Sequence, residues 1–384
     1  MHRVSWVLVA ALAVAWSCPW EVRAFETVYI SRHCARATPM LIDAGPTDFP
    51  YLDNYSKIPF PAWGVPAYDC LPRGLQLLET FGENLKARGF PLPVVATADN
   101  TERDKATAEA LLKGLGQDPM GYDIDASLFQ PTQNNVCDAF PVSKQIALMN
   151  ATYERIFSDQ TTRESFQSRL AKLQGLCGTG ASTTNIEDIP DYFTTDSWGA
   201  VWGGRGAVAD DIIESFMMQV GGGFDVAWGK LKNIDELYGD LLQAHILYRV
   251  VMARTPVLAA QGRSNLLSPF MAALEDSSTK GTRMYVGHDS DLDGIASMLD
   301  LTWASPPFAT NATTPGSALR FDMFHGDANI QMIRVNLYYT TFESNAAVVR
   351  SVPANFSTGK NVMTYADFRS LAHARINYDC VAKN

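Results

Sequence analysis

The sequence has no CxxC pair, no HExxH and no HxH, so the spacings from which zinc sites are built are missing. It also lacks an internal repeat, a long run of like charge and a low-complexity tract, which argues against disorder. No apolar run is long enough to span a bilayer. Basic residues are in deficit, with 31 Lys and Arg against 41 Asp and Glu, a net charge of −10. Such a surface repels nucleic acid and anionic membranes. An anionic substrate therefore needs a local cluster of arginines. Cysteine is scarce too, at six in 384 residues.

What is present begins with a leader. Arg3 precedes the apolar run Val7 to Trp16, and Val22-Arg23-Ala24 offers a small-residue cleavage site, so residues 1–24 read as a secretion signal. Ala15-Trp16-Ser17 is a poor lipobox, which argues against a lipid anchor on Cys18. Without residues 1–24 the chain keeps 29 basic and 40 acidic side chains, a net charge of −11. The expected location is periplasmic or secreted, where disulfides persist. Five cysteines remain, Cys34, Cys70, Cys137, Cys177 and Cys380, and an odd number leaves at least one outside any pairing within the chain. With 47% hydrophobic residues the chain can bury more than one compact unit.

Three segments share one grammar of apolar strand, polar loop and helical pattern. Thr27-Val28-Tyr29-Ile30 leads into Ser31-Arg32-His33. Val94-Val95-Ala96-Thr97-Ala98 leads into Asp99 to Arg103 and a helix through Ala106, Ala110 and Leu111. Arg283-Met284-Tyr285-Val286 leads into Gly287-His288-Asp289 and a helix through Leu292, Ile295, Ala296 and Leu299. Apolar strands flanked by helices predict a parallel sheet covered on both faces. Ligands of such sheets bind beyond the carboxyl ends of the strands, where helix N-termini favour anions. Residues from about 140 to 250 read mostly helical, with Leu237 to Ala253 as an amphipathic helix. The expected fold class is α/β: a large doubly wound domain with a mainly parallel central sheet, residues 25–138 and 251–384, and a smaller inserted α-helical domain, residues 139–250.

The stretch TVYISRHCARATPM sets two nucleophiles side by side, His33 and Cys34. A thiolate phosphatase needs H-C-x5-R, and the position of that arginine holds Met40. A histidine nucleophile needs arginines to neutralise phosphate and an acid for the leaving oxygen. Arg32, Arg36, Arg103, His288 and Asp289 supply that set.

The chain resembles the histidine acid phosphatases. RHCAR is similar to the family's R-H-G-x-R, ADNTERDKATAEALLKGL to its third-arginine segment and VGHDSDLDGIASMLDL to its H-D motif. SLFQPTQNNVC, FDVAWGKL, ARTPVLAAQGRSNLL and PGSALRFDMF resemble periplasmic phytases and glucose-1-phosphatases of enteric bacteria. The resemblance covers nearly the whole chain after the leader, in the family's order. It implies a metal-free and cofactor-free phosphomonoesterase acting on a small phosphomonoester such as a sugar or inositol phosphate. His33 would be the nucleophile of a phosphohistidine intermediate and Asp289 the acid. Arg32, Arg36, Arg103 and His288 would hold the phosphoryl oxygens, and Asp99, Glu214 and Arg254 match residues lining the family's substrate pocket. An acid that starts protonated implies an acidic optimum.

Departures are Cys34 in place of the usual Gly, a proline one place late at Pro39, and no lysine near Met40, which weakens a phytate reading. The alternatives are a phytase or glucose-1-phosphatase-type sugar phosphatase and, from another class, a catalytically inactive phosphate-binding relative. The resemblance also pairs Cys137 with Cys380, closing a loop of over two hundred residues. Cys34 is expected to stay out of any bridge, because one beside the nucleophile would block the phosphate pocket. His245 reads as a packing histidine within an apolar helical pattern.

Overall fold

Glu26–Arg32 form strand β1, and every one of its residues is buried. This is the computed structural model's central strand; it describes residues 24–38, 55–178, 185–196, 199–275, 281–343 and 346–383. The expected leader, apart from Ala24, and Met40 lie outside the described residues. β1 pairs in parallel with β6, Gly281–Gly287, which pairs in parallel with β2, Val94–Ala98; β3, Tyr122–Ile124, continues the parallel half. On its other side β1 runs antiparallel to β7, Ala318–His325, followed by β8, Gln331–Glu343, which carries β9, Ala346–Pro353, and β10, Val362–Thr364. The sheet is thus mixed, and its parallel half is the one whose strand ends matter below.

Alternation along β1 explains the two layers of helix. Val28 and Ile30 point into one apolar cluster, which contains Phe270 of α9, Pro256–Glu275, Leu292 of α10, Asp289–Met298, and Phe368 of α11, Tyr365–Arg375. Tyr29 points into the other, with Phe81 of α1, Pro72–Ala87, and Leu111 of α2, Glu102–Leu115. A strand with both faces covered has no polar side, which is why β1 reads as a continuous apolar run.

Between β3 and α9 lie the short α3, Ala126–Phe129, the helices α4, Val142–Phe157, α5, Gln160–Cys177, α6, Arg205–Gly222, and α8, Leu242–Met252, and the single turn α7, Ile234–Glu236. They pack on aromatic contacts around Trp202, whose ring lies 5.4 Å from Tyr248, 5.1 Å from Tyr153 and 5.8 Å from Phe157. The helix predicted over Leu237 to Ala253 is in two parts, a π-helical turn at Leu237–Leu241 and then α8. A β-hairpin, β4, Tyr192–Asp196, with β5, Gly199–Gly203, interrupts the helices. Its β-branched and aromatic residues favour strand, a signal that the helical reading of this region passed over.

The C-terminal tail is tied to α9. Asn377 donates its backbone N–H to Ser264 Oγ at 2.7 Å, and Ala382 donates to Asn265 Oδ1 at 2.8 Å. Cys380 is bonded to Cys137 across a sequence separation of 243. Cys177 is buried and unbridged, its thiol pushed up to about 12 by burial, and so is unreactive. Opening the long loop by Cys137→Ser with Cys380→Ser should lower unfolding free energy, by up to about 5 kcal/mol on loop-entropy grounds. Urea unfolding of the oxidised parent and the double variant checks this, and equal midpoints would count against it.

Candidate active site

The parallel register brings the three polar loops to one edge. Arg32 is opposite Gly287 and Ala98 is opposite Val286, so β1, β6 and β2 all end at the same level. The residues after each end, His33, His288 and Asp99, follow from that register. α2 begins at Glu102 and α10 at Asp289, so two long helices present their N-termini at this edge, where backbone N–H groups and the helix dipole favour an anion.

His33 is held by its backbone, which donates from N to Gly287 O at 2.8 Å and accepts at O from Gly316 N at 2.9 Å. Ala35, two residues on, lies between α1 and α6 where both helices carry glycine. A Cβ on Gly74 would lie 2.5 Å from Ala35 O, and one on Gly221 would lie 2.4 Å from Ala35 Cβ. The loop is therefore clamped against two helices.

Cys34 corrects an expectation. It is bonded to Cys70, just before α1. His33 lines the large cleft, whereas Cys34 is fully buried and points into the core on the α1 and α2 side. Neither Cys34 nor Cys70 lines the cleft, so the bridge underlies the loop without entering it. It fastens the loop carrying His33 to α1 and removes Cys34 as a thiolate.

Elementary hydrogen-bond logic fixes the state of His33. Its Nδ1 lies 2.8 Å from Cys34 O, and a carbonyl only accepts, so Nδ1 carries a proton and in the neutral ring Nε2 keeps the lone pair. Burial, then the charges of Arg103, Arg32, Arg36 and His288, hold its pKa well below the ordinary value. His33 is a neutral imidazole with a free nucleophilic nitrogen.

The guanidinium groups are anchored from behind. Arg32, wholly buried, donates from Nη1 to Thr313 O and from Nη2 to Glu214 Oε1, each at 2.6 Å. The same Nη2 is 3.1 Å from Asp289 Oδ2. Arg36 Nη2 lies 3.0 Å from Glu214 Oε2, so one carboxylate of α6 bridges two arginines. Arg36 and Arg103 both lie over the Tyr68 ring, at 5.3 and 5.7 Å.

His288 has the opposite charge preference to His33. Its Nε2 is 2.9 Å from Asp99 Oδ2 and 3.5 Å from Asp104 Oδ2, and its Nδ1 is 3.3 Å from Arg103 Nη2. Burial disfavours its charge, but Asp104 and the hydrogen bond to Asp99 more than offset this and raise its pKa. Asp104 itself is pushed up to about 6, chiefly by burial.

Asp289 is ionised. Burial alone would protonate it, but Arg249 and Arg32 hold its carboxyl well below the usual range. Arg249 Nη2 lies 3.0 Å from Asp289 Oδ1, and its Nε 3.1 Å from Asp293. The sequence reading asked for an acid protonated at rest; the geometry places it between two cations.

His33, Arg36, Arg103, Glu214, His288 and Asp289 line one cleft of about 1240 Å³, with Arg32 behind them. Two expected pocket residues do not line it. Asp99 is buried beneath His288, accepting from Gln130 Nε2 at 2.7 Å and orienting the imidazole. Arg254 is turned inward, 3.2 Å from Asp293 and 5.0 Å over the Trp303 ring, because its backbone follows the end of α8. Arg249, five residues earlier, faces the cleft instead. The sequence reading missed Arg249 and Asp104. A lone arginine in the apolar pattern of α8 was the signal for the first; the second has none, since its partner is distant in sequence. His245 is buried, 2.6 Å from Asp210, which lines the cleft.

No family model and no curated protein matches the chain. Among solved structures, Hafnia alvei phytase in its apo form superposes with a TM-score of 0.79 at 22% identity, covering 96% of this chain and 100% of that one. Citrobacter braakii phytase gives 0.78 at 23%, over 94% and 100%, and Klebsiella sp. ASR1 phytase 0.77 at 14%, over 94% and 98%. The chain has the α/β fold that these phytases share.

Asp104 generates a prediction whose sign is fixed. Because the folded pKa of His288 is raised, its charge is present at low pH and lost as pH rises through that value. Asp104→Asn removes one supporting anion, so NMR titration should show His288 losing its proton at lower pH than in the parent. An unmoved midpoint would show that Asp99 alone sets it.

Proposed function

We propose that this chain is an exported histidine acid phosphatase, hydrolysing phosphomonoesters through a phosphohistidine at His33. The observation that carries the reading is a neutral imidazole with a free Nε2 beside Arg36 and Arg103, with Arg32, His288 and Asp289 around it. The metaphosphate-like group passing from ester oxygen to imidazole is stabilised by fixed positive charge on its equatorial oxygens. Arg32, Arg36 and Arg103 provide that charge, in guanidinium forks that suit phosphate oxygens, and His288 adds an imidazole whose protonated form its carboxylates favour. Two disulfide pairs suit an oxidising compartment.

The ionised Asp289 refines the acid step. A phosphoryl group engaging Arg32 weakens that arginine's hold on Asp289 and adds negative charge beside it, and both effects raise the pKa of Asp289. The proton is carried in by the substrate, since a phosphomonoester is half monoanion near pH 6, roughly its second pKa. The ester P–O bond breaks as the N–P bond to His33 forms, and Asp289 passes the proton to the leaving oxygen. Water then attacks phosphorus, giving its proton to Asp289 and restoring His33. Acidic conditions favour turnover because they supply the protonated ester, without needing a protonated Asp289 in the free enzyme.

Hydrolysis of p-nitrophenyl phosphate near pH 5 should vanish in His33→Ala, and rapid quenching of the parent should trap an acid-labile phosphoprotein. A parent that binds phosphate and never turns over would instead mark a binding protein. Asp289→Asn should slow alkyl phosphates by about 10²–10⁴-fold, the usual range for general acid catalysis. The variant should slow p-nitrophenyl phosphate far less, because that phenolate hardly needs a proton. Equal losses for both esters would remove Asp289 from the acid role.

A further inference from the structure

We propose that the leaving-group side of this cleft takes the uncharged, hydroxyl-bearing alcohol of a simple monoester and discriminates against polyphosphorylated polyols. The inference rests on the phosphatase reading and names the substrate class within it. Size does not decide the matter, because a cleft of about 1240 Å³ is large enough for either kind of ligand. Charge does.

A polyphosphorylated ring puts one phosphate at His33 and projects the others onto the surrounding walls, where each needs a cation to replace its hydration. Among the described residues, the cations lining the cleft besides the histidines are Arg36, Arg103, Arg249 and Arg263, and no lysine lines it. Three of these arginines are already tied to carboxylates. Arg36 is paired with Glu214, and Arg249 with Asp289 and Asp293. Arg263 lies 2.8 Å from Asp291 and donates to the carbonyls of Phe129 and Ser290. Arg103 sits against His288 at the scissile phosphate. Among the described lining residues no second phosphate finds an uncommitted cation; Lys144 is outside the lining, its Nζ 3.6 Å over the ring of Phe140. Residues 39–54, PMLIDAGPTDFPYLDN, contain no lysine or arginine and three aspartates, so that segment brings no positive charge wherever it lies.

The remaining walls suit neutral hydroxyls. Thr194 and Thr195 of the hairpin β4–β5, the half-exposed ring of Tyr192 and Gln133 all line the cleft. Asp210 and Asp211, on α6 with Glu214, line it too. Burial, reinforced by Asp210 and Glu214, holds Asp211 well above the usual carboxylate range, which favours the neutral form that can donate to a hydroxyl. The phosphate of the ester is held at one end, and its alcohol is read by hydroxyl, amide and aromatic groups at the other.

The test compares glucose 1-phosphate with myo-inositol hexakisphosphate at pH 5, with p-nitrophenyl phosphate as the reference for catalysis. The kcat/KM for the hexose ester should exceed that for the hexakisphosphate by about tenfold or more. Calorimetric binding of the same two ligands to His33→Ala should rank them alike. Failure to hydrolyse p-nitrophenyl phosphate would sink the phosphatase reading, while the binding ranking would still decide this inference. Val142 is an exposed apolar residue on the cleft rim. Val142→Lys adds the missing kind of charge and should raise hexakisphosphate kcat/KM severalfold while p-nitrophenyl phosphate is unchanged. A parent that prefers the hexakisphosphate, in turnover or in binding, would overturn the proposal.

Discussion

The site depends on one costly arrangement, a guanidinium with no exposure to water. Arg32 is stable in the core only because Glu214, Asp289 and the Thr313 carbonyl surround it. A buried charge left unpaired costs several kcal/mol, and replacing its hydration takes hydrogen bonds of good geometry. The carboxylates come from α6 and from the start of α10, so the helical region and the sheet are bound to each other at the catalytic centre. An arriving phosphate meets arginines already fixed in place, and little reorganisation remains for the reaction itself.

Around that pair, neighbouring groups are pushed to different protonation states. His33 is kept neutral by burial and surrounding cations, whereas His288, 5.6 Å away between ring centres, has its pKa raised by two carboxylates beneath it. The proposed nucleophile and the proposed phosphate ligand are the same residue type and differ only in what stands behind them. Environments that push pKa values apart are how one site holds both a base and a cation. Asp289, between Arg32 and Arg249, completes the pattern as an anion.

Mechanical restraint accompanies the electrostatics. The loop carrying His33 is joined to α1 by the Cys34–Cys70 bridge, pressed by Gly74 and Gly221, and held by backbone hydrogen bonds to Gly287 and Gly316. Each restraint acts on the backbone within two residues of the nucleophile. Together they fix the imidazole on a rigid element, which a nucleophile needs in order to sit within reach of its target atom.

Local pattern carried a large part of the result. Three apolar runs followed by Arg32-His33, Asp99 to Arg103 and His288-Asp289 determined that a covered parallel sheet would present those side chains at its carboxyl edge, because strand direction and helix N-termini act over a few residues. The missing arginine at Met40 separated a histidine from a thiol mechanism by the same short-range logic. Tertiary structure decided which residues stand behind that first layer. Whether Arg249 or Arg254 faces the cleft depends on where α8 ends against Asp293. Asp99 became a support for His288 through a contact 189 residues away in sequence, and Asp104 joined it. The side of the loop on which Cys34 emerges decided that it would bridge to Cys70. Charge states and disulfide partners depend on distances through space between segments remote in the chain, and a one-dimensional pattern does not contain those distances.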